Sequence, residues 1–315
     1  MKRWFGLEAF PAPCEGACVT IGAFDGVHLG HQSLIAQTID AGRLRGLQSV
    51  VFTFDRHPAE LLRPSAAPRY ITSSARRSRC IEALGVHHLI SATFDAALRD
   101  MEPLTFVRRV LVEGLNAKCV VVGDGFRFGS GGAGDTGMLA DLGASLGCEL
   151  IVVAPVRFEG RIVSSTLVRA MVADGDVAGA AELLGRCYVL DGVVQEGDRI
   201  GRTLGFPTAN LGPARRLLTP GDGIYAGWAQ VRGRQVPAAV SIGVRPTLAS
   251  SRRLVEAHLL DFEDEIYGEA ISLAFVAKLR DQQRFADLQA LAQQIGADTV
   301  RARQLLAQSG PPPGF

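Results

Sequence analysis

The sequence predicts an α/β domain followed by an all-β domain: a doubly wound, Rossmann-like N-terminal domain, then a small antiparallel β-barrel with a terminal helix. Three observations carry this expectation. Apolar, β-branched runs alternate with helical periodicity up to about residue 184. Beyond Gly185 and Arg186, short β-rich runs broken by Gly and Pro take over. A length of 315 residues suits two compact domains, expected at 1–185 and 186–315.

In the first half, strands are expected at 17–24, 49–54, 88–92, 119–122 and 149–154. Helices are expected between them at 29–45, 74–84, 104–115 and 136–146, with 177–184 closing the domain. Strands alternating with helices imply a parallel sheet, and ligands of such sheets bind at the carboxyl ends of the strands. The stretch Gly22-Ala23-Phe24-Asp25-Gly26-Val27-His28-Leu29-Gly30-His31-Gln32 leaves the first strand at that edge. His28 and His31 would share a face of a first helical turn, where free N–H groups and the helix dipole favour phosphate. Gly26 and Gly30 admit a ligand close to the backbone.

Two later segments reach the same edge. The glycine-rich run 123–135 contains a formal Gly-x-Gly-x-x-Gly at Gly129, Gly131 and Gly134, but it does not join a strand directly to a helix. It reads either as a solvated loop or as a substrate loop offering the rings of Phe126 and Phe128 to an aromatic ligand. The second segment holds Ser164, Ser165, Thr166 and Arg169. Its hydroxyls serve as helix caps, or they join the guanidinium, on the first turn of that helix, in holding pyrophosphate. No P-loop is present.

In the second half, strands are expected at 188–194, 223–231, 236–242, 254–260 and 270–278. A terminal helix at 285–307 would present Phe285, Leu288, Leu291, Ile295, Val300 and Leu305 as its apolar stripe, followed by a disordered tail from Gly310. The loop 201–211 places Thr208 and Asn210 two residues apart. They suit either a side-chain-stabilised turn or Mg²⁺ bound to nucleotide phosphates. Glu256 shares a strand face with His258 and Leu260, and a carboxylate at the barrel mouth can take a proton from an alcohol.

Composition narrows the function classes. The chain is 47% hydrophobic and 21% charged, as core-forming proteins are. A net charge of +1 points away from nucleic acid and anionic membranes, toward small-molecule partners. The six cysteines form no Cys-x-x-Cys pair, which suits idle thiols in a reducing compartment. Lys2 and Arg3 precede no apolar signal-peptide region, and no run approaches the roughly 18 apolar residues of a membrane span. A cytoplasmic location is expected.

The expanded motif Gly-x-Phe-Asp-Gly-Val-His-x-Gly-His at 22–31 resembles the nucleotidylyltransferase signature of the prokaryotic bifunctional riboflavin kinase/FMN adenylyltransferase (FAD synthetase) family. The Ser-Ser-Thr-x-x-Arg run ending at Arg169 is similar to that family's pyrophosphate-binding motif. Gly201-Arg202-Thr203-Leu204-Gly205-Phe206-Pro207-Thr208-Ala209-Asn210 resembles its riboflavin kinase signature. Gly223-Ile224-Tyr225-Ala226, Ile242-Gly243, Pro246-Thr247, the 255–262 run and Tyr267-Gly268 follow in family order, so the likeness spans about 17–285.

The resemblance implies two reactions. The barrel would phosphorylate riboflavin to FMN, with Thr208 and Asn210 holding Mg²⁺ and Glu256 as base. The N-terminal nucleotidylyltransferase domain would join FMN to the AMP part of ATP. There His28, His31 and Arg169 would act with a nucleotide site of Gly22, Phe24, Asp25, Gly30, Ser164, Ser165 and Thr166, and a flavin site of Asp124, Phe126 and Phe128. Three departures stand out: Gly125 where the family has Asp or Asn, Gly132 where many members have Arg, and Ser241 where the kinase half has Asn. Two fall in one adenylyltransferase loop. They leave open a kinase with a weakened or redirected transferase, or a non-catalytic flavin-binding paralogue.

Overall fold

The structure, a computed structural model, describes residues 1–13, 15–197, 205–214, 216–244 and 253–313. The motif residues Gly201, Arg202, Thr203 and Leu204, and Pro246 and Thr247 of the second half, lie outside them. Two compact units are present: Met1–Pro68 with Ser74–Ser164, and Arg69–Ser73 with Ser165–Phe315. By compactness the chain divides between Ser164 and Ser165, twenty-one residues before the expected functional boundary.

The first unit is built on a six-stranded parallel sheet. Its strands are β1 (Lys2–Phe5), β2 (Ala17–Ile21), β3 (Gln48–Phe54), β4 (His88–Ala92), β5 (Ala117–Gly123) and β6 (Glu149–Val153), in the order β1-β4-β3-β2-β5-β6. The central strands are continuous apolar runs because both faces are covered: every residue of β2 is buried. The edge strand β1 was not expected. It has four residues, two of them charged, and is held by parallel pairing with β4 and by the Arg3–Glu82 ion pair at 2.6 Å. Helix α1 (Leu29–Arg45) has the expected bounds. It ends because Gly46 takes a left-handed φ of 66° and its N–H bonds back to Arg43 and Gly42 carbonyls. Helix α2 spans Ser74–Glu82.

The expected 104–115 helix is instead a short turn running into a π-helical segment, α3 (Phe106–Gly114). The Leu115 N–H bonds five residues back, to Val110 O at 3.0 Å. The wider coil sends Phe106, Val107, Val110 and Leu111 into the core together. Helix α4 (Thr136–Ser145) starts on Asp135, whose carboxylate accepts from Met138 N–H at 2.9 Å. The thiols of Cys18, Cys119 and Cys148 are buried, and burial pushes Cys148 up to about 11.

The second unit opens with α5 (Ser165–Asp174) and α6 (Val177–Leu184). Its strands β9 (Tyr188–Gln195), β10 (Ala209–Pro213), β11 (Gly223–Val231), β12 (Arg234–Val244), β13 (Arg253–Leu259) and β14 (Ala270–Arg280) form a closed antiparallel barrel, ordered β10-β13-β12-β11-β14-β9. (β7 and β8 are the two-residue strands Arg157–Phe158 and Arg161–Ile162 of the first unit.) Closure leaves no unpaired edge. β10 was not expected as a strand. Its Gly and Pro weaken the pattern, and it exists because β9 and β13 flank it.

The terminal helix α7 (Leu288–Ser309) begins three residues later than expected, where Asp287 caps Ala290 N–H at 2.8 Å. Its expected stripe is corrected: Leu288 and Val300 are more than half exposed, while Asp298, Ala302 and Leu306 are buried. A buried charge decides the face. Asp298 pairs with Arg280 at 2.6 Å and accepts from Gln294 at 3.0 Å. The segment after Gly310 is not wholly loose, for the Pro312 carbonyl accepts from Gln235 at 3.3 Å. Among the described residues no helix is long and apolar enough to cross a membrane.

Candidate active sites

The first site begins where β2 stops. Gly22 N–H makes the last rung to Phe52 O, at 3.1 Å. Phe24 then takes a φ of 49° and Val27 one of 42°. Left-handed backbone in non-glycine residues costs about 1–3 kcal/mol each and persists only where surroundings over-determine it. The surroundings here are side-chain donors. Arg77 on α2 donates to Ala23 O at 2.9 Å and to Phe54 O at 2.7 Å. Thr53 Oγ1 reaches the same Ala23 carbonyl at 3.3 Å, and Gln32 Nε2 donates to Val27 O at 2.8 Å.

This loop brings the two histidines together. His28 caps α1 in extended conformation, its Nδ1 accepting the His31 backbone N–H at 3.3 Å. The neutral ring therefore carries its proton on Nε2. His31 stacks on His28 at 3.6 Å and 17°, and meets the edge of the buried Phe24 ring at 5.2 Å. A Cβ on Gly30 would stand 3.2 Å from His28 Cε1 and Nδ1 and 3.4 Å from Val163 O. Glycine there lets the imidazole and the chain just before Ser164 both close on the helix start. Asp25 is buried in the same loop.

Ser165 and Thr166 open α5 in the second unit. Arg169 stands at the start of its second turn rather than on the first, and its Nε donates to Arg69 O at 2.9 Å.

The glycine-rich loop leaves β5 with Asp124 and Gly125 exposed. Phe128 is corrected from an open platform to a core residue. It is 6% exposed, lies 5.7 Å from Phe106, and exchanges backbone bonds with Gly134 at 3.1 and 2.9 Å. Phe126, half-buried, stacks on it at 5.8 Å and 14°. Burying a ring in the core gains more than leaving both in water. A Cβ on Gly125 would meet nothing within 4 Å.

The second site is a row across three strands. Asn210 of β10 pairs with Glu256 of β13, and Glu256 pairs with Ser241 of β12. Directly paired residues share a face. On β13, Val255, Ala257 and Leu259 are buried, so Glu256 and His258 project from the opposite face. Leu260, expected beside them, lies past the strand end and is buried.

Thr208 Oγ1 stands 3.5 Å from Glu256 Oε1. Two residues beyond the original candidates hold this row. His258 Nδ1–H donates to Pro207 O at 2.8 Å, pinning the segment that delivers Thr208. Gln282 Nε2 donates to Ser241 Oγ at 3.1 Å and to Ile242 O at 3.0 Å. Thr208 lines a cavity of about 380 Å³ walled by Ala257, Leu259, Phe262 and Ile266, with acidic Glu263 and Asp264. Asn210 lines another of about 610 Å³ with Arg69 and Arg253. Burial pushes Tyr225 up to about 12, so its hydroxyl stays a donor to Gly221 O at 2.6 Å.

Comparison with known proteins matches both halves. The family model for FAD synthetase covers residues 11–167, and that for riboflavin kinase covers 184–306. The chain is 38% identical to the bifunctional riboflavin kinase/FMN adenylyltransferase of Escherichia coli strain K12, across 95% of this chain and 96% of that one. It is 34% identical to the protein of the same description from Bacillus subtilis strain 168, across 90% of each. A solved structure described as a macrolide-efflux protein from Streptococcus pneumoniae superposes with a TM-score of 0.84 at 29% identity, covering 96% of this chain and 99% of that one. With both family models matched in order and relatives aligned over nearly the whole length, the chain belongs to the bifunctional riboflavin kinase/FMN adenylyltransferase family.

Proposed function

We propose that the protein makes FAD from riboflavin in two ATP-dependent steps, with residues 186–315 phosphorylating riboflavin to FMN and residues 1–185 adenylylating FMN. The observation that carries this is the coexistence of two separate constellations, the stacked His28–His31 pair and the Asn210–Glu256–Ser241 row, in a chain similar along its length to bifunctional relatives. Neither half lacks its main functional groups, so the kinase-only and non-catalytic readings are not favoured.

In the kinase, Glu256 takes the proton of the riboflavin 5′-hydroxyl as that oxygen attacks the γ-phosphorus of ATP. Thr208, 3.5 Å from that carboxylate, and Asn210, paired with Glu256 across the ladder, offer hard oxygens that fit Mg²⁺. The ion, when bound, neutralises charge on the transferred phosphoryl group. The apolar walls beside Thr208 suit the adenine of the nucleotide.

In the adenylyltransferase, an FMN phosphate oxygen attacks the α-phosphorus of ATP and pyrophosphate leaves. The FMN phosphate, with a second pKa of about 6, is mostly dianionic and needs no base. The His28 Nε2–H and the positive end of the α1 dipole bind the phosphates whose charge grows. Ser164, Ser165, Thr166 and Arg169 hold the pyrophosphate, and Gly22, Phe24, Asp25 and Gly30 shape the nucleotide site. Asp124 and Phe126 face the flavin over the buried Phe128. We infer a cytoplasmic location, where ATP is at hand.

The test is the purified protein with riboflavin, ATP and Mg²⁺, its products resolved by chromatography. FMN followed by FAD is expected. FMN alone would leave only the kinase half of the reading, and no turnover would overturn it.

A further inference from the structure

Arg77 belongs to none of the motifs that identify the family, and the chemistry above does not use it. We propose that Arg77 is the positioning residue of the adenylyltransferase site, its guanidinium fixing the backbone that stacks His31 on His28. The inference rests on the reading that the histidine loop performs adenylyl transfer.

Arg77 is 5% exposed. Its two terminal nitrogens donate to Ala23 O at 2.9 Å and Phe54 O at 2.7 Å. Those carbonyls lie just past the carboxyl end of β2 and at that of β3, the neighbouring central strands where such a sheet binds its ligand. A residue needed only for filling would be apolar here, because burying a guanidinium is costly unless its donors are satisfied. What these donors hold is particular. Ala23 precedes Phe24, the residue at a φ of 49°. The Phe24 and His31 rings meet edge-on with centroids 5.2 Å apart, and the His31 and His28 ring centroids are 3.6 Å apart. A rotation at Phe24 therefore travels through one ring contact to both imidazoles. Gln32 holds the far end of the loop through Val27 O at 2.8 Å, so the turn is secured at both ends, and Arg77 secures the end from which Phe24 departs. Among the described residues, Thr53 alone, at 3.3 Å, would remain on Ala23 O without it.

The experiment compares full-length R77M and R77K with wild type, assaying FAD formation from supplied FMN and FMN formation from riboflavin. A histidine displaced by a fraction of an ångström to one ångström lowers kcat by about 100-fold while substrate binding changes less. R77M is therefore expected to lose about 100-fold in kcat for FAD, with KM for ATP and FMN within about threefold and FMN formation within about twofold. R77K is expected to recover to within about fivefold of wild type, because one ammonium can donate to both carbonyls. The imidazole nitrogen signals of His28 and His31, assigned with H28A and H31A, should shift in R77M and return in R77K.

R77M holding kcat within about threefold of wild type would overturn the proposal, as would R77K as poor as R77M or unmoved ring signals in R77M. Should R77M lose FMN formation too, R77Q replaces it, and equal loss of both activities there would count against a positioning role. Wild type making no FAD would sink the transfer reading instead, while the ring signals still decide whether Arg77 sets the histidines.

Discussion

The two sites solve the same problem, placing groups around a nucleotide, by opposite means. The histidine site is a strained loop at the end of a strand, held by side chains that grip its carbonyls. The kinase row is unstrained ladder geometry, in which Asn210, Glu256 and Ser241 align because three strands pair in register. A loop-built site answers to its supports. A register-built site answers to its own side chains, since the ladder survives their replacement.

The largest separation of the two comes from Glu256→Gln, which should lower FMN formation by about 10²–10⁴-fold and leave FAD formation from supplied FMN intact. His28→Ala should do the reverse, with FAD formation falling about 10²–10³-fold. If either substitution removed both activities in folded protein, the sites would not be independent. Next in size, His258→Ala frees the segment carrying Thr208 and should raise KM for Mg-ATP in the kinase about fivefold, as expected for one lost hydrogen bond. An unchanged KM would mean the ladder alone places Thr208.

A smaller effect is expected from Gly125→Asp. A side chain there meets open space, and it should raise FAD formation at low FMN by about two- to threefold without touching FMN formation. No gain would show that Asp124 already serves. The smallest concerns pH. Arg45, hydrogen-bonded to Glu149 at 2.8 Å, holds that carboxylate below the usual range. A depressed folded value stabilises the first unit above the unfolded value of 4.5 and is lost as pH falls below it. Glu149→Gln should flatten the fall of Tm on acidification below that value, and only slightly because the pair is exposed.

What was legible in the sequence follows the same division. Helix α1 is readable to the residue because His28 caps it and Gly46 stops it. Glu256 is readable because period-two alternation in β13 survives into the fold. The supports are not readable. Arg76 and Arg77 in a helical pattern look like a solvated face, yet both are buried, and Arg77's partners are main-chain carbonyls that carry no residue signal. The π-helical turn and the Asp298 face of α7 were missed because each is set by tertiary partners rather than by periodicity. Phe128 was misread for a related reason: aromatic rings in a glycine-rich loop give no sign of which one turns inward.

The barrel's closure has a corollary for strand length. Each of its six strands is paired on both sides, and side chains alternate with period two, so adding or deleting one residue inside Arg253–Leu259 would carry Val255 or Ala257 into the place of Glu256. Neighbouring ladders leave no slack to absorb the slip. Loop lengths between the strands can therefore change without disturbing the row, while a change of length inside β10, β12 or β13 would dismantle it.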